Sequence, residues 1–321
     1  MRTWKRSLAV LLALGALALP ASAQDSRSFT DDAGRIVEVP ASPRRIVTLH
    51  DSSLTVPLLE LGIMPVGSFG RSGADGETYM RGATTLTGVT FENSPVAFVG
   101  GSPADVEAIA ALEPDLIITA TFNATPIEQL EKIAPTVIVE DNMRGEFVTF
   151  ERIADLTGTQ DRLAVLKQRY RGQIAQITAL IEGKDITASI ILTQNGQIAA
   201  WHTYGSLGKV LRDAGVHFPP IIDTIEGSDR VLFSGEQLPA FDADFIFATY
   251  DMARGLSPQG ARDELEAVAP GYCRFLHACR SNQLIFLPRE DAVARSYTAL
   301  GMMAEAVLVT LAGRDFTPIA Q

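Results

Sequence analysis

The sequence predicts an α/β protein of two lobes with mainly parallel sheets, bridged by a single long α-helix. Three observations carry this reading. Short, continuously apolar runs alternate with amphipathic stretches and Gly- or Asp-rich loops, as in parallel sheets covered on both faces. The alternation occurs twice, once before and once after a central segment. That segment, 159–183, places Leu163, Leu166, Tyr170, Ile174, Ile177 and Ile181 at three- and four-residue steps. The result is one apolar helical face over roughly five turns. The domains that follow are an N-terminal lobe over 24–158, the connecting helix over 159–183 and a C-terminal lobe over 184–321.

The elements follow in order. A hairpin turns at Asp32-Ala33-Gly34-Arg35. "RRIVTLH" is a buried strand, and "LTVPLLELG" a helix closing on Gly62. "MPVGSFG" and "VAFVGG" are strands. "SPADVEAIAALEP" is a helix with Ser102 as N-cap and Pro103 at its first position. "DLIITA", "TPIEQLEKIAP" and "TVIVE" continue as strand, helix and strand. Beyond the connecting helix come the strands "ASIILTQ" and "QIAAWH", the helix "SLGKVLRDAG", the strands "DFIFATY" and "LIFLP", and the final helix "AVARSYTALGMMAEAVLVTLAG".

The first residues set the compartment. "MRTWKR" is basic, "SLAVLLALGALALP" is apolar, and "ASA" offers small residues for cleavage. Residues 1–23 therefore read as a cleaved secretory signal, with a soluble product in the periplasm. No later apolar run approaches the ~20 residues of a membrane-spanning helix. The chain has a net charge of −11 and grows more acidic without Arg2, Lys5 and Arg6. This balance argues against nucleic acid or an anionic membrane as a partner, but not against a small anion held by a few arginines. Loss of Trp4 leaves Trp201 as the remaining tryptophan.

Cys273 and Cys279 are the two cysteines. Export favours a disulfide between them. On an unbroken helix their Cα atoms would stand about 9 Å apart, too far to bridge, so the bond requires a turn or helix end within "CRFLHAC". The pair alone does not make a zinc site. The chain carries no G-x-S-x-G, G-x-x-x-x-G-K-[ST], H-E-x-x-H or G-x-G-x-x-G motif, a weak sign by itself that becomes a non-enzyme reading only in combination with the family resemblance that follows.

"TDDAGRIVEVPASPRRIVTL", "VEAIAALEPDLIIT", "LEKIAPTVIV", the long helix and "SGEQLPAFDADFIF", in that order and spacing, resemble bacterial periplasmic substrate-binding proteins of the iron–siderophore and cobalamin class, which serve ABC importers. The resemblance runs from about Phe29 to about Gly313. It implies ligand held between two α/β lobes, delivery to an inner-membrane ABC permease, and a soluble monomer with no permanently bound cofactor. It also implies that Glu107 and Glu236, one on each lobe, dock on permease arginines. The alternative for both is an ordinary solvated glutamate.

Ligands of parallel α/β lobes bind beyond the carboxyl ends of the strands. The residues that follow the predicted strands are His50, Phe69, Arg71 and Phe122 in the first lobe, and Trp201, His202, Tyr204, Tyr250, Arg254 and Arg289 in the second. Aromatic faces with arginines suit a bulky, oxygen-rich anion such as a ferric siderophore of the hydroxamate, catecholate or carboxylate type. Haem or cobalamin is the alternative ligand, with Tyr250, His202 or Tyr204 reaching haem iron. Phe69 and Phe122 alternatively cap lobe cores, the arginines alternatively lie in solvent, and His50 beside Asp51 is alternatively a hydrogen-bonded structural group. Direct metal binding is not expected, because no set of four ligands emerges.

Overall fold

Strand β1 (Ser26–Thr30) pairs antiparallel with β2 (Ile36–Pro40), and the turn between them passes through Gly34 at φ +77°. The buried Asp31 carboxylate ties this hairpin to the lobe by accepting from the Arg35 guanidinium and from the Ile138 backbone N–H. The computed structural model describes residues 25–73, 76–140, 147–225, 230–312, 315 and 317–319. The expected signal over 1–23 lies outside them.

The N-terminal lobe lays down β3 (Ile46–Thr48), β4 (Gly67–Ser68), a small antiparallel pair β5 (Arg71–Ser72) and β6 (Thr78–Tyr79), then β7 (Ala97–Phe98), β8 (Leu116–Thr119) and β9 (Thr136–Ile138). Strands β7-β4-β3-β8-β9 form one sheet in which every neighbouring pair is parallel. The residues of β3, β8 and β9 are all buried, which is why they read as continuous apolar runs.

The C-terminal lobe contains β10 (Ala188–Gln194), β11 (Gln197–Ala200), β12 (Val231–Phe233), β13 (Phe245–Tyr250) and β14 (Leu284–Pro288) in the order β12-β11-β10-β13-β14. Here β10, β13 and β14 are parallel, whereas β11 runs antiparallel to both of its neighbours. The reversal is made by Asn195-Gly196, both at positive φ (52° and 70°). "QIAA" is thus a strand as expected, but its carboxyl end does not share an edge with those of β13 and β14.

The helix after β7 also differs from the sequence expectation. It spans Val106–Ala111 and is capped by Asp105, whose carboxylate accepts from Ala108 N–H. Ser102 and Pro103 instead lie in the turn closed by the Gly100–Ala104 bridge, where the Ser102 hydroxyl accepts from Ala124 N–H.

The connecting helix, Gln160–Ile181, sits across both lobes. Its Leu163 and Leu166 pack in the N-terminal core with Phe150, Ile153 and Leu156, while Tyr170, Ile177 and Ile181 pack in the C-terminal core with Phe245 and Phe247. Ile174 is half-buried. The final helix, Tyr297–Ala312, crosses as well: Tyr297 packs against both cores, and Ala299 enters an N-terminal cluster with Val56, Met80 and Leu86. Two helices therefore join the lobes where the sequence announced one.

Cys273 and Cys279 form a disulfide with their Cα atoms 5.0 Å apart. The break required by their spacing falls at Leu276, whose extended backbone (φ −70°, ψ 123°) separates the short helices Tyr272–Phe275 and His277–Arg280.

Candidate ligand-binding cleft

A cavity of about 420 Å³ opens between the lobes, within the size range of small-molecule sites. The N-terminal lobe contributes Ser52, Ser53, Arg81, Gly82 and Leu86; the C-terminal lobe contributes Trp201, Thr203, Tyr204, Gly205 and Arg230 together with Arg289, Glu290, Val293, Ala294 and Arg295. Each comes to the wall for a local reason. Ser52 and Ser53 stand in a wide turn, Asp51–Thr55, separated from the end of β3 by two residues and capped by His50. Arg81 follows β6, its guanidinium donating to Ser52 Oγ at 2.8 Å and its backbone N–H to Asp51 at 2.9 Å. Arg289 opens the short helix Arg289–Val293 just past β14 and pairs with Glu290 at 3.3 Å. Trp201 directly follows β11; Arg230 precedes β12, whose Val231 is opposite Ala200, so both emerge at one end of that strand pair.

Of the residues singled out in the sequence, Trp201, Tyr204 and Arg289 reach this wall. Trp201 is half-buried and meets Tyr204 edge-to-face, with ring centroids 4.6 Å apart. Tyr204 presents only its flank: the residue is 1 % exposed, and its hydroxyl is bonded to Thr249 Oγ1 at 2.7 Å inside the lobe. Burial pushes its pKa up to about 12, opposed in part by the Thr249 hydrogen bond. The Tyr204 hydroxyl is thus turned into the lobe and away from the cavity, so it does not present itself to a ligand there.

His50, Phe69, Arg71 and Phe122 gather beside the cavity on the N-terminal lobe. The His50 ring stacks with Phe69 at 5.6 Å and meets Phe122 edge-on at 4.7 Å, and the Arg71 guanidinium stands 5.7 Å from the Phe69 centroid. Phe122 is half exposed, while Phe69 is buried. Arg71 pairs at 2.9 Å with the fully buried Asp51. His50 Nδ1 accepts from Ser53 N–H at 3.1 Å, capping the turn that carries the two serines. Burial lowers its pKa to about 4; Asp51 opposes this, and the charges of Arg81, Arg71 and Arg295 add to it. His50 is thus a neutral structural acceptor at neutral pH.

The remaining candidates stand apart from the cavity wall. The His202 carbonyl accepts from Arg212, Tyr250 ends β13 half-buried, and Arg254 pairs with Glu264 at 3.3 Å. Among the described residues, no three His, Cys, Asp or Glu side chains converge as a metal site, and no helix is long and apolar enough to cross a membrane. Glu107 and Glu236 are both exposed, each in the first turn of a short helix on its own lobe.

Sequence reading missed Ser52, Ser53, Arg81, Arg230 and Arg295. The serines were within reach, lying one and two residues beyond Asp51 after a recognised strand. Arg230 precedes a strand instead of following one. Arg81 and Arg295 are brought to the wall by tertiary packing.

Two α/β lobes tied by helices, with a cavity between them lined by arginines, serines and a tryptophan, define a cleft-type binding protein. The chain belongs to the periplasmic binding protein family, whose profile matches residues 83–290. It is 30% identical over 221 residues to the iron(3+)-hydroxamate-binding protein FhuD of Bacillus subtilis, a match covering 66% of this chain and 65% of that protein. The chain thus spans about two thirds of that relative's length. Two solved structures share the fold. Staphylococcus aureus SirA, complexed with staphyloferrin B, superposes with a TM-score of 0.71 at 22% identity, over 90% of this chain and 99% of SirA. A FhuD-fold periplasmic component of a Fep/Fec-like ferrichrome ABC transporter from Bacillus subtilis gives 0.70 at 24% identity, over 88% and 99%.

Proposed function

We propose that the protein captures a ferric siderophore in the interlobe cleft and delivers it to an inner-membrane ABC permease, without chemical change to the ligand. The observation that carries this reading is the cavity itself: arginines from both lobes, serine hydroxyls and one aromatic face surround a space sized for a small chelate. Such a wall grips an oxygen-rich complex whose iron is already saturated by its own ligands, so the protein supplies no metal ligand. Trp201, Arg289 and the flank of Tyr204 serve as contacts from the C-terminal lobe. The Phe122, Phe69, His50 and Arg71 patch extends the surface on the N-terminal lobe. The names of relatives in the family agree with a ferric-siderophore ligand.

Function in the periplasm follows from the basic, apolar and small-residue segments of 1–23 acting as a removed signal. Lobe motion on capture is small, because two packed helices join the lobes. Glu107 and Glu236 register the loaded protein on the permease. The test is mass spectrometry of protein purified natively from iron-starved cells. A co-purifying ferric chelate is the expected result; protein that carries none and binds none when offered a panel of ferric siderophores sinks the reading.

A further inference from the structure

We propose that Asp51 is a positioning residue for chelate capture: its buried carboxylate, acting with the Ser52 hydroxyl, aims the Arg81 guanidinium into the interlobe cavity before any ligand arrives. This rests on the cavity being the chelate site, as proposed above, and adds how one of its contacts is held ready.

Asp51 is fully buried and stands behind the wall that Ser52, Ser53 and Arg81 line. A carboxylate in such a place needs donors on both of its oxygens. Oδ1 accepts from the Ser52 backbone N–H at 2.8 Å. Oδ2 accepts from Arg71 Nε–H and from the Arg81 backbone N–H, both at 2.9 Å. Segments far apart in sequence therefore meet on one side chain: the turn beyond β3, the start of β5 and the residue two past β6. Arg71 is opposite Tyr79 in the β5–β6 pair, so Asp51 grips both ends of that pair.

The Arg81 side chain closes the ring by donating to Ser52 Oγ at 2.8 Å. Both ends of that hydrogen bond are thus set by the same carboxylate, which holds the Ser52 amide and the Arg81 amide. The chain around Arg81 is seated as well, since Met80 and Ala83 are buried with Val56 and Ala299. His50 steadies the turn from its other side, its Nδ1 accepting from Ser53 N–H at 3.1 Å.

A buried ion pair such as Asp51–Arg71 adds little net stability over apolar residues of the same volume. What the carboxylate adds is direction, because it fixes donors from separate segments at one point. Arginine is among the side chains that lose most rotamer freedom when they grip a ligand. Holding the guanidinium in place beforehand removes that loss from the binding step. If Asp51 merely tied β5 and β6 to the lobe, its removal would act on stability, independently of Arg81. Coupling between the two residues separates these roles.

The test measures affinity by calorimetry at a temperature where every variant is folded. The probe is whichever of three ferric complexes, those of citrate, of a tris-catecholate siderophore and of desferrioxamine B, the wild type binds most tightly. Arg81→Gln is expected to weaken it about tenfold, and Asp51→Asn by a similar factor. Asp51→Asn combined with Arg81→Gln is expected to match Arg81→Gln within about twofold, because the carboxylate acts through the guanidinium. Ser52→Ala removes only the last link. It is expected to weaken binding severalfold alone and to add nothing beside Arg81→Gln. Ser52→Thr keeps the hydroxyl and is expected to keep wild-type affinity. Losses that multiply in the double variants, or Asp51→Asn or Arg81→Gln protein that binds like wild type, overturn the inference and leave capture in the cleft standing. If Asp51→Asn does not fold, the Ser52 and Arg81 variants decide alone: multiplied losses overturn the inference and coupled losses sustain it. Absence of wild-type binding to all three complexes, and to a wider siderophore panel, defeats both readings.

Discussion

Glu60 of the N-terminal lobe caps the last helix of the C-terminal lobe: its carboxylate accepts from Tyr297 N–H at 2.8 Å and from Thr298 N–H at 2.9 Å. Ser296 Oγ takes the next amide, Ala299 N–H, at 3.0 Å, so the helix start is satisfied from two sides. The Glu60 carbonyl also accepts from Arg162 of the connecting helix at 3.1 Å. One buried residue thereby fixes both helices that join the lobes. Glu60→Ala leaves two amides without their acceptor and is expected to destabilise the fold by about 2 kcal/mol. Glu60→Gln retains one acceptor oxygen and is expected to lose roughly half as much. Denaturant unfolding measures both, and wild-type stability in the alanine variant refutes the capping role.

His50 gives a stability term with a defined pH window. Its folded pKa is lowered to about 4 from an ordinary value of 6.5. Above pH 6.5 the ring is neutral folded and unfolded, and its contribution is fully present. As pH falls from 6.5 toward 4, the unfolded chain takes up the proton first and stability is lost. At pH 4.5 the loss is about 2 kcal/mol. His50→Asn keeps a side-chain oxygen for the Ser53 amide and does not titrate. Wild type is therefore expected to lose about 2 kcal/mol more than this variant between pH 7 and pH 4.5. Parallel losses in the two proteins exclude His50 as the source.

The sequence exposed the features whose signal is local. The connecting helix was legible because one 3.6-residue face had to serve two cores, from Leu163 to Ile181. The parallel N-terminal sheet was legible because strands buried on both faces read as apolar runs. Strand direction is not written in such runs, so β11 was read as ending at a parallel edge, although Asn195-Gly196 between "IILTQ" and "QIAA" is a strong hairpin signal. Trp201 was found because a large aromatic beside His, Thr and Tyr stands out in an acidic chain with few aromatics. Arg81, Arg230 and Arg295 gave no such cue: their convergence depends on how the lobes meet.

Trp201 supplies the main flat apolar face of the cleft and rests on the edge of Tyr204. Trp201→Ala removes that face while leaving Tyr204 bonded to Thr249, so the lobe core is expected to hold. Affinity for the bound chelate is expected to fall about tenfold, equivalent to about 1.4 kcal/mol. Calorimetry is the suitable readout, since the substitution removes the fluorophore. Unchanged affinity removes Trp201 from the site.

Glu107 and Glu236 are exposed, sit on opposite lobes and take no part in the cavity wall. Exposed carboxylates of this kind act on encounter and register more than on the strength of a finished contact. Because neither lines the cavity, Glu107→Ala combined with Glu236→Ala is expected to leave chelate affinity unchanged. Uptake of labelled iron by cells relying on this protein is expected to fall at least about tenfold, with each single substitution giving an intermediate loss. Charge reversal at the same positions is expected to impair uptake further, since it places lysine against the permease arginines inferred from the family. Wild-type uptake by the double variant rejects the docking role; lost chelate binding places the defect in the cleft instead.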